Sequence, residues 1–266
     1  MELTKIIDGK KYRYLKIGTG SKKLLFLYGL SSFKECTLRL VSGKSFSRYT
    51  VIVPEYPYHN NFADADVAVD SVKDVAEYIL PILHEENIYE LDAIGFSFGG
   101  LVLLEMLSKV DSGVAFKDVV IWASPIVANE GLSDTIKPIS DIYLKVSETH
   151  LERIHKSPLL CRTLLSKDVK PIPALWLKRY LNAIKTFRMP SLKASTNYLF
   201  IYDPADLLVS GRNLKYLRES VRGDNVAVVE IKGGGHFGTK DGWTKALNRI
   251  NKFLNPGMST TDPDSR

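Results

Sequence analysis

The sequence predicts an α/β fold: a doubly wound, mostly parallel sheet flanked by helices, with a helical segment inserted between two of its strands. Three observations predict it. From Lys11 to Pro125, short apolar runs alternate with stretches of helical spacing, the pattern of successive βα units. Several of those runs, Lys23-Leu24-Leu25-Phe26-Leu27 foremost, are continuous rather than alternating, as strands buried on both faces must be. The strand pattern then stops between Ile126 and Pro190 and returns at Asn197–Tyr202 and Val226–Ile231.

The elements follow in order. Lys11 to Ile17 reads as a β piece, turned by Gly18-Thr19-Gly20 into the Lys23–Leu27 strand. Tyr28-Gly29-Leu30-Ser31-Ser32 is turn-like. Val51-Ile52-Val53-Pro54 is a short buried strand, and Tyr56 to Asn61 is loop. Asp64 to Glu85 places Val67, Val72, Val75, Ala76, Tyr78, Ile79, Ile82 and Leu83 near helical spacing. Pro81 argues that this helix does not run unbroken. Ile88 to Ile94 reads as a buried strand, and Leu101 to Leu107 as a helix directly after it. Val119 to Pro125 is the next strand. Residues 126–190 carry helical stripes at Leu132, Ile136, Ile139, Ile142 and Tyr143, and again at Leu177, Tyr180, Leu181 and Ile184. Trp243 to Leu254 closes the fold as an amphipathic helix, and 256–266 reads as a disordered tail. The expected organisation is thus a core of 1–125 and 191–255 with an insertion at 126–190.

Composition sets outer limits. Of 266 residues, 45% are hydrophobic and 25% charged, which is ordinary for a soluble globular chain with a sizeable core. The longest apolar runs are under ten residues, too short to cross a bilayer. The N-terminal Met1-Glu2-Leu3-Thr4-Lys5-Ile6 lacks the features of a secretory signal. Cys36 and Cys161 are expected as free thiols in a reducing, cytoplasmic setting. Net charge is +6, and residues 126–190 hold most of the excess, with 11 Lys or Arg against 6 Asp or Glu. That excess suits solvated helix faces or attraction for anions. No basic cluster interleaved with aromatics points to nucleic acid. Oligomeric state is not legible.

The chemistry gathers around Gly95-Phe96-Ser97-Phe98-Gly99. Strand, glycine-flanked serine and helix form the setting of a G-x-S-x-G nucleophile elbow. The glycines have a physical role, because side chains there collide with neighbouring backbone in so sharp a turn. A serine hydroxyl needs a base and a group that orients the base. Of His59, His84, His150, His155 and His236, the last sits in Lys232-Gly233-Gly234-Gly235-His236-Phe237-Gly238, directly after the final strand. Asp203 and Asp206 both follow the strand ending at Tyr202, and both qualify as the acid, since catalytic groups in such sheets gather at the carboxyl ends of strands.

These motifs, in the order Ser, Asp, His, resemble the α/β-hydrolase fold superfamily, and the resemblance covers nearly the whole chain. It implies Asp206 as the acid, because Asp206-Leu207-Leu208-Val209 matches the family's pattern and Asp203 falls where the family commonly has Gly. It implies Ser97 as nucleophile, His236 as base and an oxyanion hole of two backbone N–H groups, from Phe98 and Leu30. The family usually has His-Gly before the second donor, whereas this chain has Tyr28-Gly29. It also departs at Glu55-Tyr56-Pro57-Tyr58, where the family often has a Gly-containing turn. Residues 126–190 resemble the family's helical cap, with Tyr28, Trp122, Leu175, Trp176 and Tyr180 as candidate pocket lining. The implied activity is hydrolysis of a small or medium acyl ester without metal or cofactor; thioesters, lactones, amides and carbon–carbon substrates use the same groups. Relatives that open epoxides or displace halide use Asp in place of the serine. The alternative is a non-catalytic or very slow ligand-binding protein on the same scaffold.

Overall fold

A computed structural model describes residues 1–30, 32, 34–41, 43–59, 67–108, 112–127, 172–206, 209, 211–233, 236 and 240–257. Among them, eight strands form one sheet: β1 (Glu2–Ile7), β2 (Lys10–Ile17), β3 (Lys22–Leu27), β4 (Tyr49–Pro54), β5 (Glu90–Phe96), β6 (Ala115–Trp122), β7 (Asn197–Tyr202) and β8 (Val226–Glu230). Their spatial order is β1-β2-β4-β3-β5-β6-β7-β8. β1, β2 and β4 pair antiparallel, and every pair from β4 through β8 is parallel. The order reverses between β3 and β4, the signature of double winding. The β1–β2 hairpin turns on Asp8-Gly9, with φ of 49° and 76°, a two-residue turn whose twist suits the flanking strands.

The helices are α1 (Leu38–Val41), α2 (Val72–Glu85), α3 (Phe98–Ser108), α4 (Ala174–Thr186), α5 (Gly211–Ser220) and α6 (Lys240–Leu254). Helix α2 starts later than the hydrophobic spacing suggests because Ser71 caps it. The Asp74 N–H donates to Ser71 Oγ at 3.3 Å while the Ser71 N–H donates back to Asp74 Oδ2 at 2.7 Å, a reciprocal capping box. Pro81 lies inside α2 without ending it, contrary to expectation. The ring sits on the half-exposed side, beside exposed Glu77, whose carbonyl the missing N–H would have met. The opposite face buries Val72, Val75, Ala76, Tyr78, Ile79, Ile82 and Leu83, and burial of that size offsets a proline's cost of about 3 kcal/mol.

Helix α3 is buried on nearly every position, so its sequence is apolar all round rather than striped. It packs on β5, β3 and α2. The final helix begins at Lys240, a few residues before the apolar stripe. Of the insertion, the second stripe falls in α4, with Leu177, Tyr180, Leu181 and Ile184 buried. The first stripe, His150, His155 and the tail from 258 lie outside the described residues.

This architecture places the carboxyl ends of β3, β5 and β7 along one edge. The residues that follow them are Tyr28, Ser97 and Asp203, so three separate stretches of sequence converge there.

Candidate active site

Ser97 stands at the tip of the turn between β5 and α3, with φ of 52°. That left-handed conformation is costly for a residue with a side chain. The Ser97 N–H donates to the Trp122 carbonyl at 2.8 Å, and the Gly100 N–H to the Ser97 carbonyl at 3.0 Å, so sheet and helix hold the turn from both sides. A Cβ on Gly95 would sit 2.5 Å from Gly100 Cα, and one on Gly99 would strike the Leu27 carbonyl and lie 2.7 Å from the Tyr28 oxygen. The collisions that the spacing implies are therefore backbone collisions, and nothing there can yield.

The serine, the histidine and one aspartate come together. Ser97 Oγ lies 2.9 Å from His236 Nε2, and His236 Nδ1 lies 2.9 Å from Asp206 Oδ2. A carboxylate accepts, so Nδ1 carries the proton and Nε2 offers its lone pair to the serine hydroxyl. Ser97, His236 and Asp206 are all buried. The other Asp206 oxygen accepts from the Val209 N–H at 2.9 Å, which fixes the carboxylate plane. Asp203 is turned elsewhere: its Oδ1 accepts from the Ala205 N–H at 2.8 Å, and its carbonyl from the Asp206 N–H at 3.0 Å. It shapes the loop that presents Asp206. The His236 ring lies against Phe96 at 5.5 Å between centroids, and Phe96 also meets Trp122 and Trp243. A cavity of about 20 Å³ sits beside it, lined by Trp122, Tyr202, Asp203 and Trp243 among others, roughly room for one water.

The turn after β3 runs directly beside the serine. A Cβ on Gly29 would come within 3.2 Å of Ser97 Cβ. Leu30 and Phe98 are both buried here. Tyr28, which on sequence reads as core or pocket wall, is buried with its phenol pointed at the turn after β4. The Tyr28 hydroxyl accepts from the Tyr56 N–H at 3.0 Å and donates to Glu55 Oε1 at 3.4 Å. The Tyr56 hydroxyl returns a bond to the Tyr28 carbonyl at 2.9 Å, and the two rings pack 4.3 Å apart. Glu55 in turn is ion-paired with fully buried Lys34 and lies 3.8 Å from Arg13. Burial, reinforced at Tyr28 by the Glu55 carboxylate, pushes both phenols well above their ordinary pKa, so both remain neutral donors.

The turn after β4 carries the departure at Glu55–Tyr58. Tyr58 adopts φ of 61°, a conformation that glycine takes at no steric cost. Its ring stacks on Trp176 of α4 with centroids 3.3 Å apart, and its hydroxyl donates to the Val67 carbonyl at 3.1 Å. Tyr180 of the same helix donates to the Pro57 carbonyl at 2.8 Å and meets Phe98 edge-on at 5.3 Å. Helix α4 thus rests on the turn and on the residue after the serine. Leu175 is exposed, while Trp122 is buried against Trp243 at 4.4 Å.

Tyr56, in the stretch that departs from the family's turn, and His59, in the loop after it, are neighbours of the site that no sequence motif marks as functional. His59 is buried among Tyr28, Tyr56 and Tyr180. Its Nδ1–H donates to the Pro57 carbonyl at 3.1 Å, while Nε2 has no hydrogen-bond partner among the described residues. Burial lowers its pKa to about 4, so the ring is neutral. Their only signal in the sequence is a run of aromatics after a buried strand. Among the described residues no group of three or more His, Cys, Asp or Glu is placed to hold a metal, and no helix is long and apolar enough to cross a membrane.

Solved structures share this architecture. An alpha/beta hydrolase fold protein from Chitinophaga pinensis superposes with a TM-score of 0.73 at 14% identity, covering 96% of this chain and 97% of that one. A carboxylesterase from Nitrososphaera gargenis gives 0.72 at 15% identity, over 96% and 97% of the two chains. An esterase from Exiguobacterium antarcticum gives 0.71 at 14%, over 94% and 98%. No curated protein matches the sequence. A profile of the alpha/beta hydrolase family, however, matches residues 26–247, the stretch from β3 through the serine turn and the Asp206 loop into α6. The chain belongs to the alpha/beta hydrolase family.

Proposed function

We propose that the protein is a serine hydrolase that cleaves carboxylic esters of small or medium acyl groups through an acyl-enzyme. The observation that carries this reading is the continuous hydrogen-bonded path from Ser97 through His236 to Asp206, at 2.9 Å for each link. Ser97 Oγ attacks the ester carbonyl as His236 Nε2 takes its proton. Asp206 keeps the imidazole in the tautomer that makes this possible and stabilises the imidazolium that forms. The tetrahedral oxyanion is held by the backbone N–H groups of Leu30 and Phe98. Loss of one such donor costs roughly 10²–10³ in kcat in well-studied cases. His236 then protonates the departing alcohol, activates a water against the acyl-enzyme, and returns the proton to Ser97 as the acid leaves.

Residues 126–190 serve as a cap over this centre, with Trp176 and Trp122 as the walls that select a small-molecule acyl substrate. The resting place of α4 on Tyr58 and Phe98 supports that role, because it sets this helix against the residue after the nucleophile. The serine itself favours acyl transfer over epoxide opening, for which family relatives use Asp.

A fluorophosphonate probe tests the reading. Wild-type protein should be labelled on Ser97 and the Ser97→Ala variant not at all, and p-nitrophenyl esters of rising chain length should give a clear optimum. Wild-type protein that takes no label is a ligand-binding protein on the same scaffold, and the hydrolase reading is then wrong.

A further inference from the structure

The carbonyl of Tyr28 lies just past the end of β3, where the sheet no longer supplies a partner. It is nonetheless held on two sides. Gly99 packs so closely behind it that a single added carbon would lie 2.7 Å from the oxygen, and the Tyr56 hydroxyl donates to it at 2.9 Å. Tyr56 is fully buried, its own N–H is fixed on the Tyr28 phenol, and its ring meets Phe98 edge-on with centroids 5.8 Å apart. One side chain therefore touches both stretches from which the oxyanion donors would come: the turn leading to Leu30, and Phe98 itself.

We infer that Tyr56 is a positioning residue for the oxyanion hole: its hydroxyl fixes the Tyr28 peptide plane and thereby sets where the Leu30 N–H stands relative to Ser97. The inference rests on the serine-hydrolase reading. A backbone donor is only as well aimed as the peptides before it, and preorganised donors account for much of the rate in acyl transfer. Tyr28 Oη cannot fix its own carbonyl; the reciprocal bond from Tyr56 does.

The test is Tyr56→Phe, with Tyr78→Phe as control. Tyr78 also donates its phenol to a backbone carbonyl, that of Lys11 in β2 at 3.0 Å, which belongs to neither donor stretch, so both variants lose the same type of bond. Both are assayed at a temperature where circular dichroism shows them folded. Tyr56→Phe should lower kcat for a p-nitrophenyl ester about tenfold to a hundredfold, short of deleting a donor outright. Its KM should barely move, and its affinity for a trifluoromethyl ketone should weaken by the same factor as kcat. Tyr78→Phe should lower only the melting temperature. If Tyr56→Phe behaves as Tyr78→Phe does, or raises KM with kcat intact, the positioning role is wrong while the hydrolase reading stands. A wild-type protein that fluorophosphonate does not label at Ser97 overturns both.

Discussion

Asp206 Oδ2 lies 2.9 Å from His236 Nδ1, while Asp203, at the head of the same loop, turns its carboxylate onto the Ala205 N–H at 2.8 Å. The two acids have the same charge and nearly the same place in the sequence, but only one of them reaches the imidazole. Asp206→Asn should therefore lower ester hydrolysis by up to roughly 10⁴, the loss seen when a triad acid is made an amide and the tautomer is wrong. Asp203→Asn should lose far less, because an amide oxygen still accepts from Ala205. Steady-state kinetics on the two variants measure this, and the reverse ranking would remove Asp206 from the relay.

Gly99→Ala should be badly tolerated. The added carbon strikes the Leu27 carbonyl, and forcing such a collision costs about 1–3 kcal/mol or more. Gly43→Ala is the control, since nothing among the described residues lies within 4 Å of a Cβ there; it should be neutral or slightly stabilising through a less flexible unfolded chain. Urea unfolding of both variants separates a steric cost from a general intolerance of alanine.

Lys34 and Glu55 are both fully buried and ion-paired. Lys34→Met should cost about 3 kcal/mol, because it strips a buried carboxylate of its main partner; Arg13 at 3.8 Å offsets part of the loss. The Lys34→Met/Glu55→Gln double variant should be more stable than the sum of the single changes predicts. Additive losses in a double-mutant cycle would show that the two side chains do not depend on each other.

His59 predicts a pH effect on stability. Burial holds its folded pKa near 4, against 6.5 for an exposed imidazole. As pH falls through 6.5 the unfolded chain takes up a proton that the native chain refuses until about pH 4, so native stability declines across that window and levels below it. The full effect is on the order of 3 kcal/mol. His59→Asn keeps a donor for the Pro57 carbonyl and cannot titrate, so its stability should fall less steeply between pH 6.5 and 4. Denaturant midpoints across that range decide it, and equal slopes for the two proteins would place the acid sensitivity elsewhere.

What the sequence alone determined is what short-range chemistry specifies. Continuous apolar runs have to be buried strands, the stripes of α2, α4 and α6 have to face a core, and a serine between Gly95 and Gly99 has to stand on a sharp turn. The order Ser, Asp, His needs no coordinates to read. Tertiary structure decided what depends on which surfaces meet. Pro81 remains inside α2 because the opposite face is buried, and Tyr58 takes a glycine-like φ of 61° against the stacked ring of Trp176. Asp206 rather than Asp203 reaches His236 because the Val209 N–H and the Asp203 carbonyl fix that loop. Tyr28, which reads as core or pocket wall, turns its phenol inward because Glu55 and Tyr56 offer it buried partners. The Asp206 loop is closed by local bonds but meets a histidine 30 residues further on; the other outcomes depend on contacts between residues far apart in the chain, and local propensity carries no information about such meetings.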